Sequence, residues 1–227
     1  MRNVTHSHSL VGVPPPDEAR RLVAHLEGAA APRTGDWDGN SIPSGHLDSI
    51  NRLLARMGKA PVSPEDVLVR PIRLTGDQVT ANYTKFDTDE LPSIARKVPG
   101  IPLLVGHDTE SLPLGTFYRA SVTKDSDGNS WIDTWVFFLN DEEGRAIVER
   151  IDKGVYNEAS IGWMYEVAIC SVCNRDYWSG YPLKFFISEE DANELSEQND
   201  VCLHVAGETY KVGRSKQLCY MITKGVT

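Results

Sequence analysis

Apolar residues recur along this chain with two different periods. Ile50, Leu53, Leu54 and Met57 fall at i, i+3, i+4 and i+7, which predicts an amphipathic helix. Asp48 opens it, Gly58 stops it, and Pro61 and Pro64 prevent its continuation. A second helix is predicted where Ala146, Ile147 and Ile151 share a face, capped by Asn140 or Asp141 and closed by Gly154. Asp89–Lys97 reads as a short helix ended by Pro99-Gly100, and Ser188–Gln198 as an acidic one. Between these the period drops toward two. Val67–Leu74 alternates as a strand broken or edged by Pro71, and Pro102–Val105 is an apolar strand. Gly115–Val122 and Trp131–Leu139 are strands joined as a hairpin by the turn Lys124–Asn129, and Val155–Ile169 is a further strand region. Upstream, Pro14-Pro15-Pro16 is a stiff spacer, Asp17–Glu27 reads as a short polar helix, and residues 28–47 read as loop.

Strands dominate this order and do not alternate regularly with helices. The expected class is therefore α+β: a mostly antiparallel β-barrel with surrounding helices, rather than a βαβ repeat. Four regions are expected. Residues 1–65 form an N-terminal extension with one or two helices, 66–169 the barrel core, 170–210 a metal-binding insertion and 211–227 a closing segment. The apolar face of the 48–57 helix must pack on the main domain or on a partner.

Composition narrows the function. With 227 residues, 41% of them hydrophobic, the chain can bury a core. A net charge of -9 argues against sequence-independent nucleic-acid binding, which needs a basic stripe. No apolar run approaches the roughly 20 residues that span a bilayer. The N-terminus lacks an apolar signal-peptide core. A soluble intracellular protein is expected.

All four cysteines, Cys170, Cys173, Cys202 and Cys219, lie in the last quarter of the chain. That clustering in an intracellular protein points to metal rather than disulfides. Cys170-Ser-Val-Cys173 followed by Cys202-Leu-His204 offers four soft or borderline ligands for tetrahedral Zn2+, with Cys219 to spare. Four protein ligands leave no open position for water, so such a zinc is structural. The Asp125–Asn129 stretch resembles part of a calcium loop but lacks the later glutamate, so a turn is expected there.

Two further stretches carry candidate catalytic chemistry. Ile101-Pro-Leu-Leu-Val-Gly-His107-Asp108 ends a strand, and Glu158-Ala-Ser160-Ile-Gly162-Trp163 follows a helix. Ser160 can act as a nucleophile if His107 takes its proton. Gly106 and Gly115 allow close backbone approach around the histidine.

The order of these pieces resembles the prohead (capsid maturation) serine proteases of tailed bacteriophages, which are related to herpesvirus assemblin. The resemblance rests on Ile101–Leu104 with His107-Asp108, on Pro113-Leu114-Gly115, and on Ser160-Ile161-Gly162-Trp163, and it covers roughly residues 66–169. It implies a herpesvirus-protease-like barrel wrapped by helices. It also implies peptide-bond cleavage through an acyl-enzyme on Ser160, with His107 as base. Scaffold and major capsid protein segments, and the protease itself, would be the substrates, inside the assembling prohead in the host cytoplasm. Self-association is a further expectation, with no nucleic acid and no membrane as partners. A similar Cys-x-x-Cys and Cys-x-His insertion in members of the family agrees with the zinc assignment. The residue that orients the histidine stays open among Asp108, Asp133, Glu158 and Glu166. The resemblance places the start of a final barrel strand in 211–227, truncated or self-processed near Thr227. A catalytically inactive protease-fold protein of the head or scaffold is the alternative. A metal-dependent hydrolase using His107, Asp108 and His46 is a third reading.

Overall fold

The computed structural model describes residues 21–25, 41–104, 112–156 and 160–226; for 21–25 and Ser160 only the backbone is described. The strands are β1 (Arg21–His25), β2 (Val67–Gly76), β3 (Thr84–Phe86), β4 (Pro102–Leu103), β5 (Gly115–Lys124), β6 (Ser130–Leu139), β7 (Ser160–Met164), β8 (Val167–Cys170), β9 (Thr209–Val212), β10 (Ser215–Leu218) and β11 (Met221–Lys224). The helices are α1 (His46–Arg56), α2 (Leu91–Lys97), α3 (Glu142–Asp152) and α4 (Glu189–Asn199).

The fold is mixed α+β, built on a curled antiparallel half-barrel sheet in the order β2-β6-β5-β4. Two register shifts, between Arg73 and Thr75 on β2 and between Phe117 and Arg119 on β5, add local twist and help the sheet curl. Pro71 does not break β2, because β2 lies at the sheet edge and its missing N–H leaves no ladder partner unsatisfied. Gly115 is required by packing: a Cβ there would sit 2.7 Å from the Phe137 carbonyl oxygen.

Both faces of the sheet are covered. Ile50 and Leu53 of α1 pack against Val67, Val69, Tyr118 and Phe137, so the helix assigned to the N-terminal extension docks on the sheet itself. Across the sheet, Phe117, Val136 and Phe138 pack with Val98 after α2 and with Ile147 and Val148 of α3. The Asp141 carboxylate caps α3 by accepting from the Gly144 N–H at 2.8 Å.

A second sheet of three strands runs β3-β11-β8, with β11 parallel to β3 and antiparallel to β8. The β9–β10 hairpin packs on α4. The core of the sheet joins Phe86, Leu91, Ile132 and Trp163 to Tyr177, Cys170, Cys202 and Leu203. The region around the cysteines therefore shares one apolar cluster with the sheet and α2.

The segment expected as a polar helix at 17–27 differs. Residues 21–25 are extended and pair antiparallel with β7, His25 opposite Ser160. A helix this short is marginal alone, whereas a strand edge satisfies its backbone groups directly. The expected single strand region over 155–169 is also divided into β7 and β8 around Tyr165 and Glu166.

Candidate metal centre

The cluster begins at the end of β8. Cys170 closes that strand, and the chain turns back sharply so that Asn174 N–H donates to the Cys170 carbonyl at 3.0 Å. Asn174 adopts a left-handed φ of 58°, a conformation that asparagine tolerates better than most residues. Inside the turn the Val172 N–H points at Cys170 Sγ, 3.4 Å away. Cys173 is thereby brought round to the same side as Cys170, as a two-residue spacing between paired ligands requires.

The other two ligands lie on a loop with no strand pairing. Side chains hold its backbone instead. Cys202 N–H donates to Ser179 Oγ at 2.8 Å, and Leu203 N–H to Ser196 Oγ at 3.0 Å. Val205 N–H donates to Tyr210 Oη at 2.8 Å, and Ala206 N–H to Tyr177 Oη at 3.1 Å. These hydroxyls pin the loop carrying Cys202 and His204 from three directions. Gly180 lets the loop approach closely: a Cβ there would lie 2.1 Å from the Cys202 carbonyl oxygen.

Cys170, Cys173, Cys202 and His204 place their ligand atoms within 4.8 Å of one another, and Cys170, Cys202 and His204 are buried. A tetrahedral ion with bonds of about 2.3 Å to sulfur spaces its sulfurs about 3.8 Å apart. Closing on an ion therefore takes side-chain movements of about 1 Å. The histidine is set for the task. Its Nε2 faces Asn193 Oδ1 at 2.7 Å, while its buried Nδ1 has no hydrogen-bond partner. Asn193 is oriented by donating Nδ2–H to the Lys211 carbonyl at 2.8 Å, so its oxygen is the atom that meets the imidazole. In this orientation Nε2 carries a proton and Nδ1 is the nitrogen left to bind an ion, the second-sphere arrangement common around metal-ligating histidines. Tyr210 holds the ring edge-on with centroids 4.5 Å apart. The donor set fits a metal ion.

The thiols influence one another strongly. Hydrogen bonds from Cys173 and then from Cys202 and Cys219 push the Cys170 thiol pKa far down. Contact with Cys170 pushes Cys202 and Cys219 up. Burial lowers the His204 pKa, but the Cys170 and Cys173 sulfurs outweigh it and carry it to about 9. Cys219, the expected spare, is fully buried with its sulfur 3.7 Å from Cys170 Sγ.

The catalytic candidates are placed differently. His107 and Asp108 lie outside the described residues, as does Glu158. Ser160 opens β7, its backbone opposite His25. Asp133 on β6 is engaged by Arg73 Nε at 2.9 Å and by Thr123 Oγ1 at 2.6 Å. Glu166 is exposed between β7 and β8. His46 is buried under Trp135 and shares a 2.7 Å hydrogen bond with Tyr118, the setting of a satisfied core histidine. Asp125 forms a closed turn, accepting from Asp127, Asn129 and Trp131, and these bonds hold its carboxyl at about 2. Sequence reasoning missed Asn193, Ser179 and Ser196, polar residues whose roles depend on long-range folding. Among the described residues no helix is long and apolar enough to cross a membrane.

A scan against protein-family models finds no match, and searches of curated proteins and of solved structures return none either.

Proposed function

We propose that this chain is a serine endopeptidase of phage head maturation, with Ser160 as nucleophile and His107 as base. In this reading Zn2+ on Cys170, Cys173, Cys202 and His204 is structural. The observation that carries the reading is the position of Ser160: it opens β7 shortly after α3, and β7 leads through β8 directly to Cys170. That order of strand, hairpin, helix and serine strand is the one the resemblance requires. A metal at the end of β8 would fix the strand pair that follows the serine. Soft thiolates with one imidazole favour zinc over hard oxygen-seeking ions. The substrates in this reading are extended segments of scaffold and capsid protein, and of the chain itself, within the prohead. The alternative, an inactive structural member of the same fold, draws support from Asp133, whose carboxylate is already committed to Arg73 and Thr123.

A fluorophosphonate probe tests the choice. Labelling of Ser160, located by peptide mass spectrometry and lost in His107→Ala at unchanged metal content, supports the peptidase. A folded, metal-replete protein that takes no label at Ser160 supports the structural alternative.

A further inference from the structure

Residues 183–186 invert the usual distribution of side chains. Leu183, Phe185 and Phe186 are 54%, 44% and 81% exposed, while Lys184 between them is 0% exposed. A buried ammonium is costly unless an opposite charge and hydrogen bonds offset the loss of water. Among the described residues no carboxylate forms an ion pair with Lys184. Its Nζ donates to the Tyr177 carbonyl at 2.7 Å, stands over the Tyr177 ring 3.1 Å from the centroid, and points at Cys202 Sγ at 3.7 Å. Among the described residues, the acidic side chain that its Nζ meets is the Cys202 thiol.

We propose that Lys184 is the resident counter-charge of the metal–thiolate centre, and that it matches a divalent ion bound by three thiolates and one neutral imidazole. This rests on the metal reading of the cluster. The charges support that composition. When three thiols lose their protons to a divalent ion and His204 binds neutral through Nδ1, the centre carries one negative charge, and one ammonium balances it. A fourth thiolate from Cys219 would leave one negative charge buried and unmatched, and a trivalent ion would leave one positive charge. Cys219 is accordingly a neutral thiol packed against Cys170, not a ligand. Lys184 is a positioning residue: it acts on the ion only through Cys202.

The test is Lys184→Met in the full chain, read in two ways: Zn2+ affinity by chelator competition, and the thermal midpoint of the metal-free protein. Loss of an outer-sphere partner is expected to weaken Zn2+ binding by roughly 10- to 100-fold. The metal-free midpoint should hold or rise, because the variant removes the desolvation cost of a fully buried ammonium. A merely structural lysine would lower the metal-free midpoint and leave the affinity unchanged, and that result overturns the proposal. Should Lys184→Met fail to accumulate, Lys184→Gln keeps a donor without the charge and should weaken binding in the same direction. Cys219→Ser should leave the affinity within a few-fold, whereas Cys202→Ser should abolish tight binding. Equal losses from the two serine variants would refute the three-thiolate count. Wild-type protein that binds no divalent ion sinks the metal reading itself; wild type that binds while Lys184→Met binds equally well sinks only the role of Lys184.

Discussion

In the zinc reading, removing the metal should lower the stability of the whole described fold rather than loosen one loop. Cys170 and Cys202 belong to the same buried cluster as Phe86, Leu91, Ile132 and Trp163, so the centre shares its core with both sheets and α2. An ion that binds only the folded state adds RT ln(1 + [L]/Kd), about 2.7 kcal/mol at a free concentration 100 times Kd. For a chain of this size, 1 kcal/mol moves the midpoint by about 2–4 °C. The metal-loaded protein should therefore melt roughly 5–11 °C above the chelated one under those conditions. Differential scanning calorimetry with defined free Zn2+ measures this, and Cys202→Ser serves as the control that should not respond. The response should strengthen as pH rises, since thiols must lose protons to bind. Coincident melting of metal-free and metal-loaded wild type, with occupancy verified by elemental analysis, would refute the argument. So would a shift confined to proteolytic susceptibility around residues 171–186 with no change in the global midpoint.

Three further outcomes are expected. Gly180→Ala pushes a methyl into the Cys202 carbonyl, so chelator competition should show weakened metal binding, and urea denaturation a loss of about 1–3 kcal/mol. Ile132→Ala, at a fully buried position on β6, should cost about 2–5 kcal/mol in urea denaturation and leave metal stoichiometry unchanged. Burial, aided by Arg119, holds the His46 pKa below its ordinary 6.5. The unfolded chain therefore takes up that proton first as pH falls, and stability should decline below about pH 6.5. His46→Asn should flatten that part of the urea-midpoint profile between pH 7.5 and 5.5; an unchanged slope would rule His46 out.

The fold was legible wherever a local pattern agreed with its surroundings. The period of Ile50, Leu53 and Leu54 predicts α1, the Asp141 cap predicts the start of α3, and the Asp125 turn predicts the β5–β6 hairpin. The spacing of Cys170, Cys173, Cys202 and His204 predicts the cluster that the fold assembles. Sheet partnership was not legible, because it depends on which edges are left open. That is why residues 21–25 are a strand on β7, and why Pro71 sits within β2 without ending it. The environment of Lys184 was also hidden. Hydropathy would bury Leu183, Phe185 and Phe186 and expose the lysine, and the long-range contacts of its Nζ with Tyr177 and Cys202 reverse that order.

The position of β11 between β3 and β8 has a consequence for the order of events during synthesis. Phe86 and Lys224 lie about 140 residues apart, an interval of roughly 7–28 s at ~5–20 residues per second. Throughout it β3 lacks the strand that joins it to β8, and β8 itself is made only in the second half of that interval. The four candidate metal ligands, in contrast, are complete once His204 has been made. An ion captured at that point would precede closure of the three-stranded sheet, and the turn at Cys170 would then give β11 an anchored edge to pair with when it arrives.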